Sequence, residues 1–336
     1  MSKKRLFSGI QPTGELHVGN YFGAVANWVR LQESHDAIYC IVDYHAMTIE
    51  YEPAQMPRKV TEVARGLLAC GLDPAKCTIF VQSAVPAHTE LMWLLGTVAY
   101  MGRLQNMTQF KEKSARNEEN INLGLFAYPV LQAADILIYK AEAVPVGEDQ
   151  LQHVELSREI ARRFNGRFGE TFPEPESLLS SAPRIMGLDG RGKMSKSLDN
   201  YIALTETADE RWKKLAPAFT DPARKRRSDP GDPDICNMFT LHKEVSPPAL
   251  VAEVNTTCRT AQIGCIECKR RLAEHLTERL EPIRERAEAL ATRPGDVTDA
   301  LRAGAMRCRR IAAETMAEVR AKTGLALPLA QESSRA

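Results

Sequence analysis

Two glycine-rich stretches hold the residue types best suited to handling phosphate. The first, SGIQPTGELHVGNYFGA at positions 8–24, contains four glycines, a proline, a histidine and an asparagine. Arg5-Leu6-Phe7 running into Ser8-Gly9-Ile10 reads as a short buried strand, and Gln11-Pro12-Thr13-Gly14 breaks it with turn chemistry. His17-Val18-Gly19-Asn20 then opens an apolar pattern of helical spacing. A strand, a glycine-bearing turn and a helix start present unpaired N–H groups and a positive dipole end, which suit an anion such as phosphate. A purely structural turn with His17 at the surface accounts for the same letters, because neither G-x-G-x-x-G nor G-x-x-x-x-G-K-[ST] occurs here. The second stretch, GLDGRGKMSKSLDN at 187–200, sets Lys193 and Lys196 around Met194-Ser195, with Ser197 following. Mobile ammonium groups of this kind suit charge that moves during a reaction.

Two further features invite a ligand. Asp135, in AADILIY, heads an apolar run where an unpaired carboxylate is costly, so it needs a partner, either a neighbouring side chain or a bound donor. Cys236, Cys258, Cys265 and Cys268 form the series C-x21-C-x6-C-x2-C beside Lys269-Arg270-Arg271. Four thiolates suit a structural Zn²⁺, although only one C-x-x-C knuckle is present, and a chance grouping of buried cysteines is the plain alternative. Cys40, Cys70, Cys77 and Cys308 lie scattered in mostly apolar surroundings and read as small buried hydrophobes.

The elements that must position these groups alternate in type. DAIYCIVDYHAM and CTIFVQSAV are short runs of the buried-strand kind, whereas RKVTEVARGLLACGL and HTELMWLLGTVAYMGRLQ carry apolar residues at helical spacing. A helix, the strand-like AEAVPV and an amphipathic helix opening at Gly147-Glu148-Asp149-Gln150 follow. Such alternation predicts a parallel sheet covered by helices. From about Thr207 the strand signals vanish, and 207–325 reads as helices, with Leu272, Leu276, Leu280, Ile283, Ala287 and Leu290 as one packing stripe. Pro282 within that stripe predicts a kink or a break.

Composition sets the bounds. At 336 residues, 44% hydrophobic and 26% charged, the chain suits a folded protein of two domains. It has no apolar run of membrane-spanning length and MSKKRLF lacks a signal-peptide core, so the expectation is a cytoplasmic protein with no membrane partner. With a net charge of +1, any polyanion must be met by a local patch. Between Cys258 and Lys322 there are 14 Arg and Lys against 10 Asp and Glu, a basic helical region that is either solvated surface or a nucleic-acid face.

At the lysine loop the chain resembles the class I aminoacyl-tRNA synthetases. HVGN stands where their HIGH signature stands and KMSKS repeats their second signature. DYHAMT, VQSAVPAHTEL, MTQFKEKS, YPVLQAADIL and VPVGEDQLQH narrow the resemblance to the tryptophanyl-tRNA synthetases, over about residues 5–325. DYHAMT and VQSAVPAH argue against the related tyrosyl enzymes, and His17, Lys193, Lys196 and Asp135 argue against a paralogue that no longer aminoacylates. The resemblance implies an α/β chain with a Rossmann-like parallel-sheet catalytic domain at 1–200, an all-helical domain at 201–325 on the anticodon side of the tRNA, and a polar tail at 326–336. It implies activation of L-tryptophan with ATP and Mg²⁺, transfer to tRNA(Trp), and a homodimer built on the catalytic domain.

The resemblance also distributes roles. Gln11, Pro12, Thr13, His17, Gly19 and Asn20 match the ATP-contacting signature; Lys193, Met194, Ser195, Lys196 and Ser197 match the mobile loop. Gly147, Glu148 and Asp149 resemble ribose-side contacts, Asp149 being otherwise an ordinary first-turn acid. Ile185 matches a backbone contact to adenine, and Lys111 and Lys113 match further basic groups near the phosphates, where surface lysines are the plain alternative. Asp135 matches the acceptor for the indole N–H, Tyr128 and Gln150 match the residues that hold the α-amino group, and Phe7, Val144 and Val146 match the ring lining. Gln132 departs from the methionine many relatives carry beside the indole. The cysteine series is similar to one that carries a [4Fe–4S] cluster in some members, with a first spacer one residue shorter, and it favours that cluster over zinc.

Overall fold

The computed structural model describes residues 3–111, 122–179 and 185–325. Lys113 and the polar tail fall outside them.

Five parallel strands form one sheet in the order β3-β2-β1-β4-β5: β1 (Arg5–Ile10), β2 (Asp36–Ile41), β3 (Thr78–Val81), β4 (Ala143–Val146) and β5 (Glu176–Leu179). Period-two alternation sends Leu6, Tyr39 and Ile41 to the apolar cluster on one face and Phe7, Ile38 and Cys40 to that on the other. Both faces are therefore buried, as a parallel sheet requires. The first four strands fall on the runs expected from the sequence. β5 was not expected there: it is a half-exposed edge strand, ESLL, flanked by charge and proline rather than by an apolar run.

This order reverses direction between β1 and β4, and in such sheets ligands bind outside the carboxyl ends of the strands at the reversal. Gln11-Pro12-Thr13 leaves the end of β1 and Gly147-Glu148-Asp149 leaves the end of β4. The two segments the sequence marked for nucleotide thus flank the one crevice the topology provides.

The second half is helical as expected, with Ala208–Leu215, Asn237–Val245, Pro248–Arg259, Cys265–Ala291 and Pro294–Thr323. The helix Cys265–Ala291 runs unbroken through Pro282. Buried Leu276, Leu280, Ile283 and Ala287 anchor it on both sides of the proline, in the same cluster as the helix Met56–Ala69, and that packing offsets the lost backbone bond. The expected helix over 88–105 is instead two, Ala87–Gly96 and Met101–Gln105. The last helix lies against β3, where a Cβ at Gly304 would stand 2.0 Å from Ile79 O. Among the described residues no helix is long and apolar enough to cross a membrane.

Candidate active site

The first signature is built by a reciprocal cap. His17 N donates to Asn20 Oδ1 at 3.1 Å, and Asn20 N donates to His17 Nδ1 at 3.3 Å. That second bond makes Nδ1 an acceptor, so the ring proton sits on Nε2 and is available as a donor. His17 is buried rather than at the surface, and burial, with the Lys196 and Lys193 charges adding to it, pushes its pKa down to about 4. A neutral imidazole therefore faces the crevice. Gly19 lies beneath this ring: a Cβ there would stand 3.0 Å from His17 Cε1 and Nδ1 and 3.2 Å from Met194 Cβ. Gly14 adopts φ +92°, a left-handed conformation that only glycine takes without strain. Gln11 and Thr13 are exposed and Pro12 is buried.

The structure brings the second signature directly onto the first. Lys196 Nζ donates to Thr13 O at 2.7 Å, across a sequence separation of 183. Burial lowers the Lys196 pKa while Glu15 and Glu62 oppose that shift. Met194 is buried and Met194 N donates to Ile185 O at 3.1 Å, and Met186 and Lys193 form an antiparallel bridge, so the loop is a small hairpin with Lys193 exposed on it. Asn200 fixes the hairpin, accepting from Ser195 N at 2.8 Å and donating to Asp189 Oδ1 at 2.9 Å. Gly187 makes room for it, because a Cβ there would stand 1.9 Å from Asn200 Nδ2. Ser195 and Ser197 hydroxyls bond each other at 2.8 Å. Gly147, Glu148 and Asp149 are exposed, and Gln150 Nε2 donates to Asp149 Oδ2 at 3.1 Å. Lys111 is exposed and its Nζ donates to Asn106 Oδ1 at 3.2 Å.

The surroundings of Asp135 are sealed. Asp135 is 1% exposed and accepts from His45 Nε2 at 2.8 Å, from His88 Nδ1 at 2.6 Å, and from Gln82 Nε2 at 2.8 Å to each oxygen. Burial alone would raise its pKa, but the bonds from His45 and His88 outweigh it and hold the carboxyl at about 2. Asp135 is thus ionised, and its partners are neighbouring side chains. Phe7, Val144 and Val146 are buried, Gln132 is half-buried, and the Tyr128 hydroxyl bonds Gln109 at 3.3 Å and His153 at 3.0 Å. Sequence reasoning named Asp135 but not His45, Gln82, His88 or Gln109. The signal was present, since DYHAMT and VQSAVPAH hold the three donors to Asp135 and MTQF holds Gln109, which accepts from the Tyr128 hydroxyl.

The four clustered cysteines are half-buried, and Cys236, Cys258 and Cys268 pack against Phe239, Val254 and Ile263. Burial, reinforced by Cys236, Cys258 and Cys265, pushes the Cys268 thiol up to about 12, so the four lie within electrostatic reach of one another. Among the described residues no group of three or more His, Cys, Asp or Glu stands at metal-binding positions.

Comparison with known proteins agrees with this architecture. Residues 2–281 match the family of class I tRNA synthetases for tryptophan and tyrosine. The chain is 53% identical to a tryptophan--tRNA ligase of Deinococcus radiodurans, covering 95% of this chain and 98% of that one. It is 46% identical to a tryptophan--tRNA ligase of Thermotoga maritima, covering 94% and 98%. The crystal structure of tryptophanyl-tRNA synthetase from Campylobacter jejuni, complexed with ADP and tryptophan, superposes with a TM-score of 0.84 at 34% identity, over 95% of this chain and 99% of that one. With its two signatures joined over the reversal of a parallel sheet, and with relatives of this kind along nearly its whole length, the chain belongs to the class I tRNA synthetases, in their tryptophanyl branch.

Proposed function

We propose that the two halves of this crevice divide a two-step reaction between them. The reaction itself is tryptophan activation with ATP to tryptophanyl-adenylate and pyrophosphate, followed by transfer of tryptophan to tRNA(Trp). The carboxylate of tryptophan attacks the α-phosphorus, pyrophosphate leaves, and no covalent bond to the enzyme forms. What this chain supplies is alignment and stabilisation of the charge growing on pyrophosphate. The observation that carries the assignment is the Lys196 Nζ–Thr13 O bond, which holds a flexible cation at the mouth of the first signature.

In this reading Gln11, Pro12, Thr13, Gly19 and Asn20 give the nucleotide a backbone surface, and neutral His17 donates from Nε2. Lys196 leaves Thr13 O for pyrophosphate, and Lys193, exposed on the same hairpin, joins it, with Met194, Ser195 and Ser197 carrying the loop; Lys113 adds a further cation. Ile185 receives adenine; Gly147, Glu148 and Asp149 receive the ribose. Mg²⁺ rides on ATP oxygens and water, consistent with its reluctance to dehydrate. Tyr128 and Gln150 hold the α-amino group, while Phe7, Gln132, Val144 and Val146 line the ring.

Asp135 accepts the indole N–H. Its four lone-pair sites already meet four hydrogen bonds from three side chains, so one must yield, and His45, with 9% of its side chain exposed against 0% for His88, is the one that can move. Pyrophosphate exchange, run separately with tryptophan and tyrosine, tests the whole assignment: exchange with tryptophan alone is expected, and exchange with neither would sink it.

The helical region from Arg259 onward meets the anticodon end of tRNA in this proposal, and Cys236, Cys258, Cys265 and Cys268 hold a [4Fe–4S] cluster that fixes it. Four thiols of mutual influence suit a soft metal centre, with Zn²⁺ as the alternative occupant. Anaerobically purified protein should be brown with about four iron atoms per chain; colourless protein with one zinc would select the alternative. The chain also pairs through its catalytic half, where Trp93, Tyr100 and Met101 are 77%, 62% and 64% exposed and leave apolar surface for a second copy to cover. Light scattering that returned a single-chain mass would overturn the pairing.

A further inference from the structure

Behind Asp135 runs a line of buried polar groups that the reaction does not use. His88, 0% exposed, bonds Asp135 through Nδ1 and meets the Tyr139 hydroxyl through Nε2 at 2.6 Å. Tyr139 is also fully buried, as is Cys308 of the last helix, which influences it electrostatically. The tyrosine ring cannot drift: Phe7 stacks on it at 5.7 Å and Phe80 meets it edge-on at 5.7 Å. An ionised carboxylate only accepts, so His88 carries a proton on Nδ1; a ring holding that proton alone accepts the Tyr139 proton at Nε2. Burial pushes the Cys308 thiol up to about 12 and pushes Tyr139 upward as well, so both groups keep their protons.

We propose that Tyr139 is a positioning residue for tryptophan recognition: by donating into Nε2 it fixes the His88 proton on Nδ1 and keeps the imidazole neutral, which leaves Asp135 its full negative charge for the substrate. The proposal rests on the reading that Asp135 takes the indole N–H. A second proton on His88 would pair the carboxylate with an imidazolium in a dry site, where that partner competes directly with a neutral donor. His45 and Gln82 also bond the carboxylate, whereas the Tyr139 hydroxyl meets His88.

The test uses the full chain, labelled with ¹⁵N, in ring-nitrogen spectra of the histidines. The His88 signal, identified by its loss in His88→Asn, should show Nδ1–H and an unprotonated Nε2 at neutral pH. Nε2–H or a doubly protonated ring would overturn the proposal without any variant at the tyrosine. Tyr139→Phe should then change that signal and raise the KM for tryptophan roughly tenfold, as for one lost hydrogen bond, with kcat and the KM for ATP unchanged. In the His88→Asn background, where no ring remains to protonate, the same change at Tyr139 should add less than about twofold. An equal penalty in both backgrounds would show that Tyr139 acts without His88 and would overturn the proposal. An altered ring signal with unchanged tryptophan KM would also overturn it, and parallel measurement of Asp135→Asn separates the causes: if that variant too leaves tryptophan use intact, the Asp135 assignment is what failed.

Discussion

The nucleotide side and the amino-acid side of this crevice are built by opposite means. Around the two signatures, recognition surface is backbone, and the charged groups are lysines on a hairpin, one exposed and one resting on a carbonyl. Around Asp135 the charge is fixed, dry and bonded to three side chains before any ligand arrives. The difference follows from what each ligand does. Charge on the phosphates moves as pyrophosphate leaves, and a mobile ammonium can follow it. In the proposed reading the indole does not react, so Asp135 as its partner would gain by being rigid, because a pre-ordered acceptor loses little entropy on binding.

The comparison breaks if changes on the two sides move the same kinetic constant. Lys196→Ala should give the largest effect, lowering the rate of adenylate formation by about 10²–10³ with tryptophan affinity little changed, as for loss of a transition-state donor. Single-turnover kinetics would show it; an equal loss in binding and rate would make Lys196 a ground-state contact. Asp135→Asn should act mainly on KM for tryptophan, by about tenfold or more, since it keeps an acceptor but removes the charge that strengthens the bond. Discrimination against phenylalanine, which has no donor, should fall with it, and unchanged tryptophan kinetics would remove Asp135 from the pocket.

The smallest effect is an expected flatness with pH. His17 is held at about 4, burial being the largest cause, so it stays neutral and adenylation should show no histidine titration assignable to it between pH 5 and 8. The sign for stability follows from linkage. The folded pKa lies below the ordinary value, so the unfolded chain binds the extra proton first; the contribution is complete above about 6.5 and is lost as pH falls toward 4. Urea midpoints measured across that window in the native chain and in His17→Asn should converge at the acid end. A native midpoint that rose as pH fell would contradict the buried neutral ring.

How much of this was legible depended on whether the chemistry was local. The first signature was readable because strand, turn and helix start lie within one short stretch, and the sheet because β1 to β4 are apolar runs. β5 was missed because an edge strand buries little and carries no such run. Asp135 announced itself by standing charged in an apolar segment. Its partners did not, since His45, Gln82 and His88 stand 90, 53 and 47 positions away and meet it only once the sheet and its helices have assembled. His17 was balanced between surface residue and ligand until the reciprocal cap with Asn20 showed what holds it. The continuous helix at Pro282 follows the same logic: local propensity spoke for a kink or a break, and the long-range apolar stripe keeps the helix from breaking.

The last helix carries a consequence for the order of events during synthesis. Arg307, within it, bonds Asp36 of β2 at 2.6 Å and also Thr78 of β3, across sequence separations of 271 and 229. Gly304 presses its backbone onto Ile79 of the outermost strand. A growing chain must therefore carry β3 with an uncovered edge until a helix some 229 positions further on has been made, and uncovered edges invite pairing with other chains. The sheet thus waits, through the synthesis of most of the helical half, for the element that shields its outermost strand.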